Sequence, residues 1–436
     1  MNTYPDLIKH NLLSIISEMA KSRHLFVKNP DTDFSRNRKL PFESVFLFLI
    51  SMGGNTIRNE MLESFGFSLD TATSSAFIQQ RDKINTSAFE FLFHEFTQTF
   101  HDAKTYRGYR LFAVDGTDIR IAHDPNNPET YCKNQNEKGF NLLHLNAMFD
   151  ICNKYFVDAL TQPRMLINEN KALIDMVERS DIKGKVIVIA DRGLECYNNF
   201  AHISEKDWNY LIRVKDVNSS GILSGLSLPT SEEFDITKQL ILTRKHTKEV
   251  IDNPDIYKCL YNGAKFDFLE NSDNEFYPIS FRVVRFKITD YSYETVITNL
   301  DTFDFPPNEL RELYNARWNI ENSFRELKYA VALTSFHSKK QEYIIQEIFA
   351  RIIMYNFAIM ITSHIIISQA GKRHTYKVNF TVAIRVCKQF LRLRNSAPPT
   401  VVEAIIRKNI SPVRPGRKYE RIIRRQKEVS FLYRVA

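Results

Sequence analysis

Residues 314–328 read YNARWNIENSFRELK, and four polar side chains in that stretch decide the fold. Tyr314, Arg317, Glu321 and Lys328 follow one another at intervals of three, four and seven residues. At about 100° per helical residue they fall within an arc of roughly 60°. A face carrying a phenol, two cations and an acid makes a poor core and a good holder of a metal ion and phosphates. Leu313, Ile320, Phe324, Leu327 and Val331 form the neighbouring apolar stripe. The spacing predicts one long helix that packs this stripe on a sheet and turns its polar edge to a cleft.

Upstream, two strongly apolar segments each end in an aspartate: LFAVDGT at Asp115 and VIVIADRG at Asp191. YRLFAVDGTDIRIA predicts strand, tight turn, strand, because Asp-Gly is a turn dipeptide. LLHLNAMFD and KYFVDALT predict further strands, NENKALIDMVERSD a helix, GKVIVIADRG a buried strand, NNFAHISEKD a helix and WNYLIRVKD a strand. Three strands, helix, strand, helix, strand is the order of a ribonuclease-H-like α/β sheet. Its first and fourth strands lie side by side. Asp115 and Asp191 then point into one cleft, and Glu321 closes it from the later helix. Three carboxylates on separate elements can hold two hard divalent ions, which neutralise phosphate charge and activate a hydroxyl.

Each acid also has an ordinary reading. Asp115 can shape a turn, Asp191 can cap a helix or loop, and a lone glutamate like Glu321 is usually solvated. The joint pattern favours chemistry. Around this core the chain divides into a helical region at 1–105 and a first core part at 106–216. A β-rich insertion follows at 217–298, then a second core part with the Glu321 helix at 299–372, and a basic C-terminal region at 373–436. In the first region NTIRNEMLESFGFSLDTATSSAFIQQRDKI gives two short helices resembling a helix-turn-helix, with Asn55 as a cap. The end, SPVRPGRKYERIIRRQKEVSFLYRVA, holds eight Lys/Arg against two Glu.

A length of 436 residues allows two to four domains, and a net charge of +8 with pI near 9.0 favours a polyanionic partner. Cys132, Cys152, Cys196, Cys259 and Cys387 are odd in number and widely spaced, which argues against a disulfide framework or zinc site. The N-terminus shows no signal-peptide pattern. YIIQEIFARIIMYNFAIMITSHIIIS is broken by Glu347 and Arg351 and is expected to be a buried helix, with no membrane partner. A bacterial cytoplasmic, nucleoid-associated location is expected.

These residues resemble a known family. The chain looks like a DDE transposase of the insertion-sequence-four type, which carries Tyr-x2-Arg-x3-Glu-x6-Lys around its third acid. Tyr314, Arg317, Glu321 and Lys328 match every spacing, Asp115 in DGT matches the first acid, and Asp191 in ADRG matches the second. The resemblance covers about residues 30–370, and the 130-residue gap from Asp191 to Glu321 fits the branch's β-rich insertion. It implies that Asp115, Asp191 and Glu321 bind two Mg²⁺ or Mn²⁺ ions. It implies nicking at inverted-repeat ends, a hairpin intermediate and strand transfer into target DNA by a homodimer. Tyr314, Arg317 and Lys328 would contact phosphates. The family places a tryptophan in the insertion to hold a flipped base. Here the tryptophans are Trp208 and Trp318, outside it, so Tyr291 or Tyr293 is the substitute. A phenylalanine usual after the second acid is replaced by Glu205, with Phe200 nearby. Asp118 is expected to be structural, and Arg192, His144, Arg213 and Lys215 to be solvated or ion-paired. The alternatives are an inactive or domesticated DNA-binding relative and a non-transposing nuclease.

Overall fold

In the computed structural model, which describes residues 4–413 apart from 37, 101–102, 134–138, 218, 262, 271–273 and 394–400, helices come first. These are α1 (Tyr4–Lys21), α2 (Phe42–Ser51), α3 (Ile57–Ser64), α4 (Ser74–Asp82) and α5 (Ser87–Gln98). The apolar periodicity of ESVFLFLISM and TSAFEFLFHEF becomes α2 and α5, which bury Phe46, Leu49, Phe89, Phe93 and Phe96 completely. Thr56, not Asn55, caps α3 by accepting a hydrogen bond from the Asn59 amide. Residues 65–73 separate α3 from α4. That is longer than the turn of about 3–4 residues in a helix-turn-helix, and Arg81 of α4 points into the core instead of outward. α3 and α4 are therefore not joined by the tight turn of a helix-turn-helix. Most of the basic C-terminal run, residues 414–436, lies outside the described residues.

The sheet is built from β1 (Arg110–Ile121), β2 (Tyr131–Cys132), β3 (Phe140–Asp150) and β4 (Tyr155–Pro163). Next come α6 (Glu169–Glu178), β5 (Val186–Ala190), α7 (Tyr197–Glu205) and β6 (Asn209–Val214). This is the element order read from the sequence. β1 pairs antiparallel with β3 and parallel with β5, and β6 pairs parallel with β5. The two aspartate-bearing strands are thus neighbours. The expected turn at Asp115-Gly116 is absent. β1 runs straight through it, because β3 pairs with it continuously from Phe112↔Asp150 to Ile121↔Asn141.

The segment at 217–298 is β-rich as expected, but it does not stand apart from the core. Its elements are β7 (Phe234–Thr243), α8 (Lys248–Asp252), β8 (Tyr257–Cys259), α9 (Asp267–Glu270), β9 (Phe276–Thr289) and β10 (Ser292–Thr298). β10 pairs antiparallel with β6, so the sheet continues β3-β1-β5-β6-β10-β9-β7-β8, with β2 and β4 beyond β3. Pairing on β6 satisfies backbone groups that an edge strand would leave open.

The rest comprises α10 (Pro307–Ala316), α11 (Trp318–Tyr329), α12 (Gln341–Ser363), β11 (Tyr376–Val378), α13 (Phe380–Arg392), α14 (Val402–Lys408) and β12 (Ile410–Pro412). The single helix expected around residue 317 is two helices that meet at Arg317. There the Arg317 amide bonds to the Tyr314 carbonyl at 3.0 Å and the Ile320 amide to the Arg317 carbonyl at 3.1 Å, a tightened i to i−3 register. The apolar stripe holds: Leu313, Ile320, Phe324, Leu327 and Val331 are all buried.

Side-chain alternation along β1 divides the molecule into two cores. Leu111, Ala113, Ile119 and Ile121 join one cluster that also takes in α1, α2, α5 and α10–α14. Phe112 and Val114 face the other, against α6 and α7. The N-terminal helices share the first cluster with α12, so residue 105 does not divide two hydrophobic cores. α12 is the buried helix expected, and Glu347 and Arg351 within it are themselves buried.

Candidate active site

Alternation places Asp115 and Thr117 on the α11 side of β1, and Gly116 and Asp118 on the α6 side. β1 stops pairing with β5 at Val114↔Ala190, so Asp115 and Asp191 emerge together where β5 ends. Asp191 caps the short turn Arg192–Leu194 by accepting from the Gly193 amide at 2.8 Å. Asp115 accepts from the Gly116 amide, also at 2.8 Å.

α11 supplies the third acid. The Arg317 guanidinium stands between two acids, with Nη1 3.4 Å from Asp115 Oδ2 and Nη2 3.2 Å from Glu321 Oε1. It is itself buried, and its Nε has no partner. Burial pushes the Asp115 carboxyl up to about 6; Arg317 and the Gly116 amide oppose the shift, and Asp191 and Glu321 add to it. Asp191 and Glu321 therefore act on Asp115 through a shared field. For Arg317, burial works against its charge, but Tyr314, Asp115, Glu321 and Asp191 hold it up.

The other motif residues are engaged within the protein. Lys328 Nζ donates to Thr117 Oγ1 at 2.6 Å and to the Asp118 carbonyl at 3.1 Å. Burial lowers its pKa, with Asp118 opposing. Tyr314 is buried beside Arg317, its ring 5.9 Å from the guanidinium. Its hydroxyl makes no hydrogen bond of normal geometry, although Arg213 is nearby. Tyr314 thus packs behind Arg317.

Of the aromatics expected to hold a base, Tyr291 is 97% exposed at the tip of the β9–β10 hairpin. Tyr293 bonds Glu232 and stacks under Arg285 at 4.1 Å. Because β10 begins where β6 ends, this hairpin lies on the same sheet edge as Asp191. Trp208 is core, and Trp318 is 50% exposed with its ring 5.2 Å from the Arg317 guanidinium. Sequence reasoning set Trp318 aside because it lies outside the insertion; its place next to Arg317 was the available signal. Phe200 is buried and stacks on Tyr210, and Glu205 accepts from Tyr277 at 2.7 Å. Arg213 pairs with Glu294 at 3.0 Å, Lys215 with Glu195 at 3.9 Å, and Arg192 is exposed.

Asp118 and His144 behave as structural groups expected to pair. His144 Nδ1 lies 2.8 Å from Asp118 Oδ1, and its Nε2 lies 3.1 Å from Glu169 Oε1. Burial opposes a charge on His144, but the contacts to Asp118 and Glu169 raise it to about 9. The sequence reading did not single out Glu169.

Asp115, Asp191 and Glu321 are hard oxygen donors from three elements, the chemistry that Mg²⁺ or Mn²⁺ prefers. Among the described residues no three His, Cys, Asp or Glu side chains form a ready-made metal cage. Arg317 stands between Asp115 and Glu321. Mg²⁺ sites built from few carboxylates, water and substrate phosphates do not need such a cage. The acids also lie on the open edge of the sheet. A cavity of about 710 Å³ opens elsewhere, on the Asn319, Asn322 and Arg325 side of α11.

Because protonated Asp115 cannot ligate a cation, divalent-metal affinity should fall about tenfold per pH unit below pH 6. Calorimetric titration of Mn²⁺ at pH 5, 6, 7 and 8 measures this. Equal affinity at pH 5 and 7 would exclude Asp115 as a ligand.

Two aspartates at the ends of adjacent parallel strands thus lie beside a glutamate and an arginine from the helical segment packed over them. The transposase DDE domain matches residues 106–357, more than half of the chain, and the chain belongs to that family. Domains of this family generally use divalent metals. None of the curated proteins matches the chain. Among solved structures, the piggyBac transposase synaptic complex with hairpin DNA is similar over 96% of this chain and 87% of that one, at 10% identity and TM-score 0.45. That likeness is too loose to carry a functional argument.

Proposed function

We propose that this chain is a cut-and-paste DNA transposase of the insertion-sequence-four branch, with a ribonuclease-H-like core whose site is Asp115, Asp191 and Glu321. The observation that carries this is the Arg317 bridge from Asp115 on β1 to Glu321 on α11. It joins the strand motif to the helix motif at one point, beside Asp191. The branch is supported by the matched spacing of Tyr314, Arg317, Glu321 and Lys328. The core type is supported by the strand order β3-β1-β5-β6, with only β3 antiparallel.

Asp115, Asp191 and Glu321 would hold two Mg²⁺ ions, which supply charge neutralisation and an activated hydroxyl. The chain's own residues do the positioning. Arg317, released from the acids, presents a planar fork to a phosphate. Tyr314 holds it from beneath, and Lys328 supplies a second cation from the same helix. Trp318, half exposed against Arg317, offers a face for an unstacked base, with Tyr291 a second aromatic on that edge. The substrate is duplex DNA bearing the element's terminal inverted repeats. A homodimer bridges two ends in the bacterial cytoplasm; at each end water nicks one strand, the freed 3′-OH attacks the opposite strand to close a hairpin and release the flanking DNA, water reopens the hairpin, and the 3′-OH then attacks target DNA. The charge of +8 suits that polyanion.

Incubation with a duplex carrying these repeats and Mg²⁺ tests the proposal. Wild type should nick and form hairpins, and Trp318→Ala should nick normally but lose about tenfold or more of the hairpin product. DNA binding without cleavage in Mg²⁺ or Mn²⁺ would instead favour a catalytically inactive, DNA-binding relative.

A further inference from the structure

None of Asp115, Asp191 and Glu321 lines the cavity beside α11. That cavity measures about 710 Å³ and takes cations from three separate segments: Lys154 from the β3–β4 turn, Arg325 from α11 and Lys377 from β11. Small-molecule sites run from roughly 300 to 1,000 Å³, so a nucleotide fits here and a duplex does not. All three cations are exposed, and among the described residues none of them makes an ion pair. Among those residues the lining holds one acid, Glu326. Burial pushes its carboxyl up, while the Tyr355 hydroxyl, donating at 3.3 Å, and Lys377, Arg325 and Lys154 oppose the shift. The three cations therefore converge on one carboxyl without pairing with it, and their donors stay available to a ligand.

Lys154 is held in place by its turn. Its φ is +63°, in the left-handed region that side chains rarely adopt. The Lys154 amide donates to the Asp150 carbonyl at 2.7 Å, and the buried Asp150 carboxylate accepts from the Asn153 amide at 2.9 Å. A glycine would take that backbone without strain, so the turn alone does not call for a lysine. Arg325 connects the cavity to the acids. It follows Glu321 by four residues, and Trp318, Asn322, Arg325 and Tyr329 recur at helical spacing on one face. Arg325 Nη2 donates to Asn322 Oδ1 at 2.8 Å, and Trp318 and Tyr329 are 50% and 76% exposed. A strand that leaves Glu321 along this face meets aromatic rings and then the cations of the cavity. That combination binds unpaired nucleotides.

We propose that this cavity receives an unpaired nucleotide of the DNA strand that runs past Glu321, with its phosphate on Lys154, Arg325 and Lys377. The inference rests on the reading of the chain as a DNA transposase. Charge and lining both favour a nucleotide over a neutral ligand. Three cations face one acid, and Tyr376 and Phe380 add aromatic surface for the base. No bond is made or broken in the cavity; it holds one nucleotide out of the stack and so fixes the course of the strand beside the acids.

The test uses the full chain in EDTA, so that no metal ion draws DNA to the acids. Fluorescence anisotropy across a salt series reads the binding of an oligothymidine strand of about 12 nucleotides, and of a duplex of equal length. Lys154→Gln and Lys377→Gln should each weaken single-strand binding about three- to tenfold and reduce the slope of log affinity against log salt by about 0.7. Duplex affinity should change by less than about twofold in both. Lys183→Gln, at an exposed lysine outside the lining, should leave slope and affinity unchanged, and thermal melts check that every variant folds. Thymidine monophosphate should compete with the strand, and inorganic phosphate at the same concentration should compete far less. An unchanged slope in both cavity variants, equal losses for duplex and single strand, or equal competition by inorganic phosphate would each overturn the proposal. If wild type binds neither single strand nor duplex, the transposase reading itself has failed, and the proposal falls with it.

Discussion

Asp115→Asn is expected to abolish DNA cleavage, by roughly 10³-fold or more, while making the metal-free protein more stable at pH 8. The two effects have one cause. Asp115 stands partly buried beside Asp191 and Glu321, and only Arg317 and the Gly116 amide favour its charge. Its carboxyl is raised from 3.8 to about 6. Because the folded-state value exceeds the unfolded one, folding favours the protonated form. The contribution is fully present below pH 3.8 and is lost as pH rises through about 6. Ionised at pH 8, Asp115 costs at most roughly 3 kcal/mol. The amide keeps its shape without that cost, although Arg317 loses one partner and keeps Glu321. The expected gain is therefore about 1–3 kcal/mol at pH 8 and close to none at pH 4. Urea denaturation of both proteins at the two pH values measures it. A less stable Asp115→Asn at pH 8 would mean that the aspartate is held for the fold and not for a cation. Mg²⁺ should stabilise wild type by mass action and leave Asp115→Asn unmoved.

Much of this site was legible because its residues interrupt strong patterns. An aspartate that ends LFAV or VIVIA stands out from an apolar strand, and a glutamate that shares a helix face with two cations stands out from a solvated one. The pairing of β1 with β5 followed from element order alone. Other features depend on contacts that no local pattern encodes. Asp-Gly is a turn dipeptide, yet here β3 pairs along the whole of β1 and keeps it straight. No proline or glycine marks the break at Arg317; its backbone stays helical, and the register tightens where its side chain turns to Asp115. Strands at 217–298 show β-propensity but not that β10 joins β6. Tyr314 shares a face with Arg317 by spacing, but the break tips it into the core. Glu169 sits where a first-turn acid is expected merely to favour the helix dipole, and its pairing with His144 depends on packing that no local pattern encodes.

Glu347→Ala is expected to cost about 3–5 kcal/mol and to loosen the joint between the N-terminal helices and the catalytic helices. Glu347 is fully buried on α12, among Arg81, Arg351 and His337. Arg81 of α4 donates to Glu347 Oε1 at 2.9 Å and to Gln346 Oε1 at 2.8 Å. The His337 amide and Nδ1 each lie 3.1 Å from Glu347 Oε2, and His337 Nε2 reaches the Asn55 carbonyl at 2.8 Å. Arg351 Nη2 donates to the Gly53 carbonyl at 2.9 Å. One carboxylate thus ties α12 to α4 and to the segment after α11, and through His337 to the α2–α3 turn. Burial alone would raise its pKa, but Arg81, His337 and Arg351 outweigh it and lower it to about 2. Its stabilising charge is present above the ordinary value of 4.5 and is lost only as pH falls through about 2. Removing it leaves the buried Arg81 guanidinium without its counter-charge and leaves Arg351 with Glu60, which is why the cost exceeds that of a surface pair. Replacing the pair together, as Arg81→Met with Glu347→Leu, should recover a good part of the loss, since desolvation then no longer acts on Arg81. Urea titrations at pH 7 measure both. A loss under about 1 kcal/mol for Glu347→Ala would show that α12 is held by apolar packing alone. Cleavage per folded molecule, assayed well below the melting temperature, should stay near wild type, because the substitution touches none of Asp115, Asp191, Arg317 and Glu321. That separates a fault in the scaffold from the fault that Asp115→Asn makes in the site.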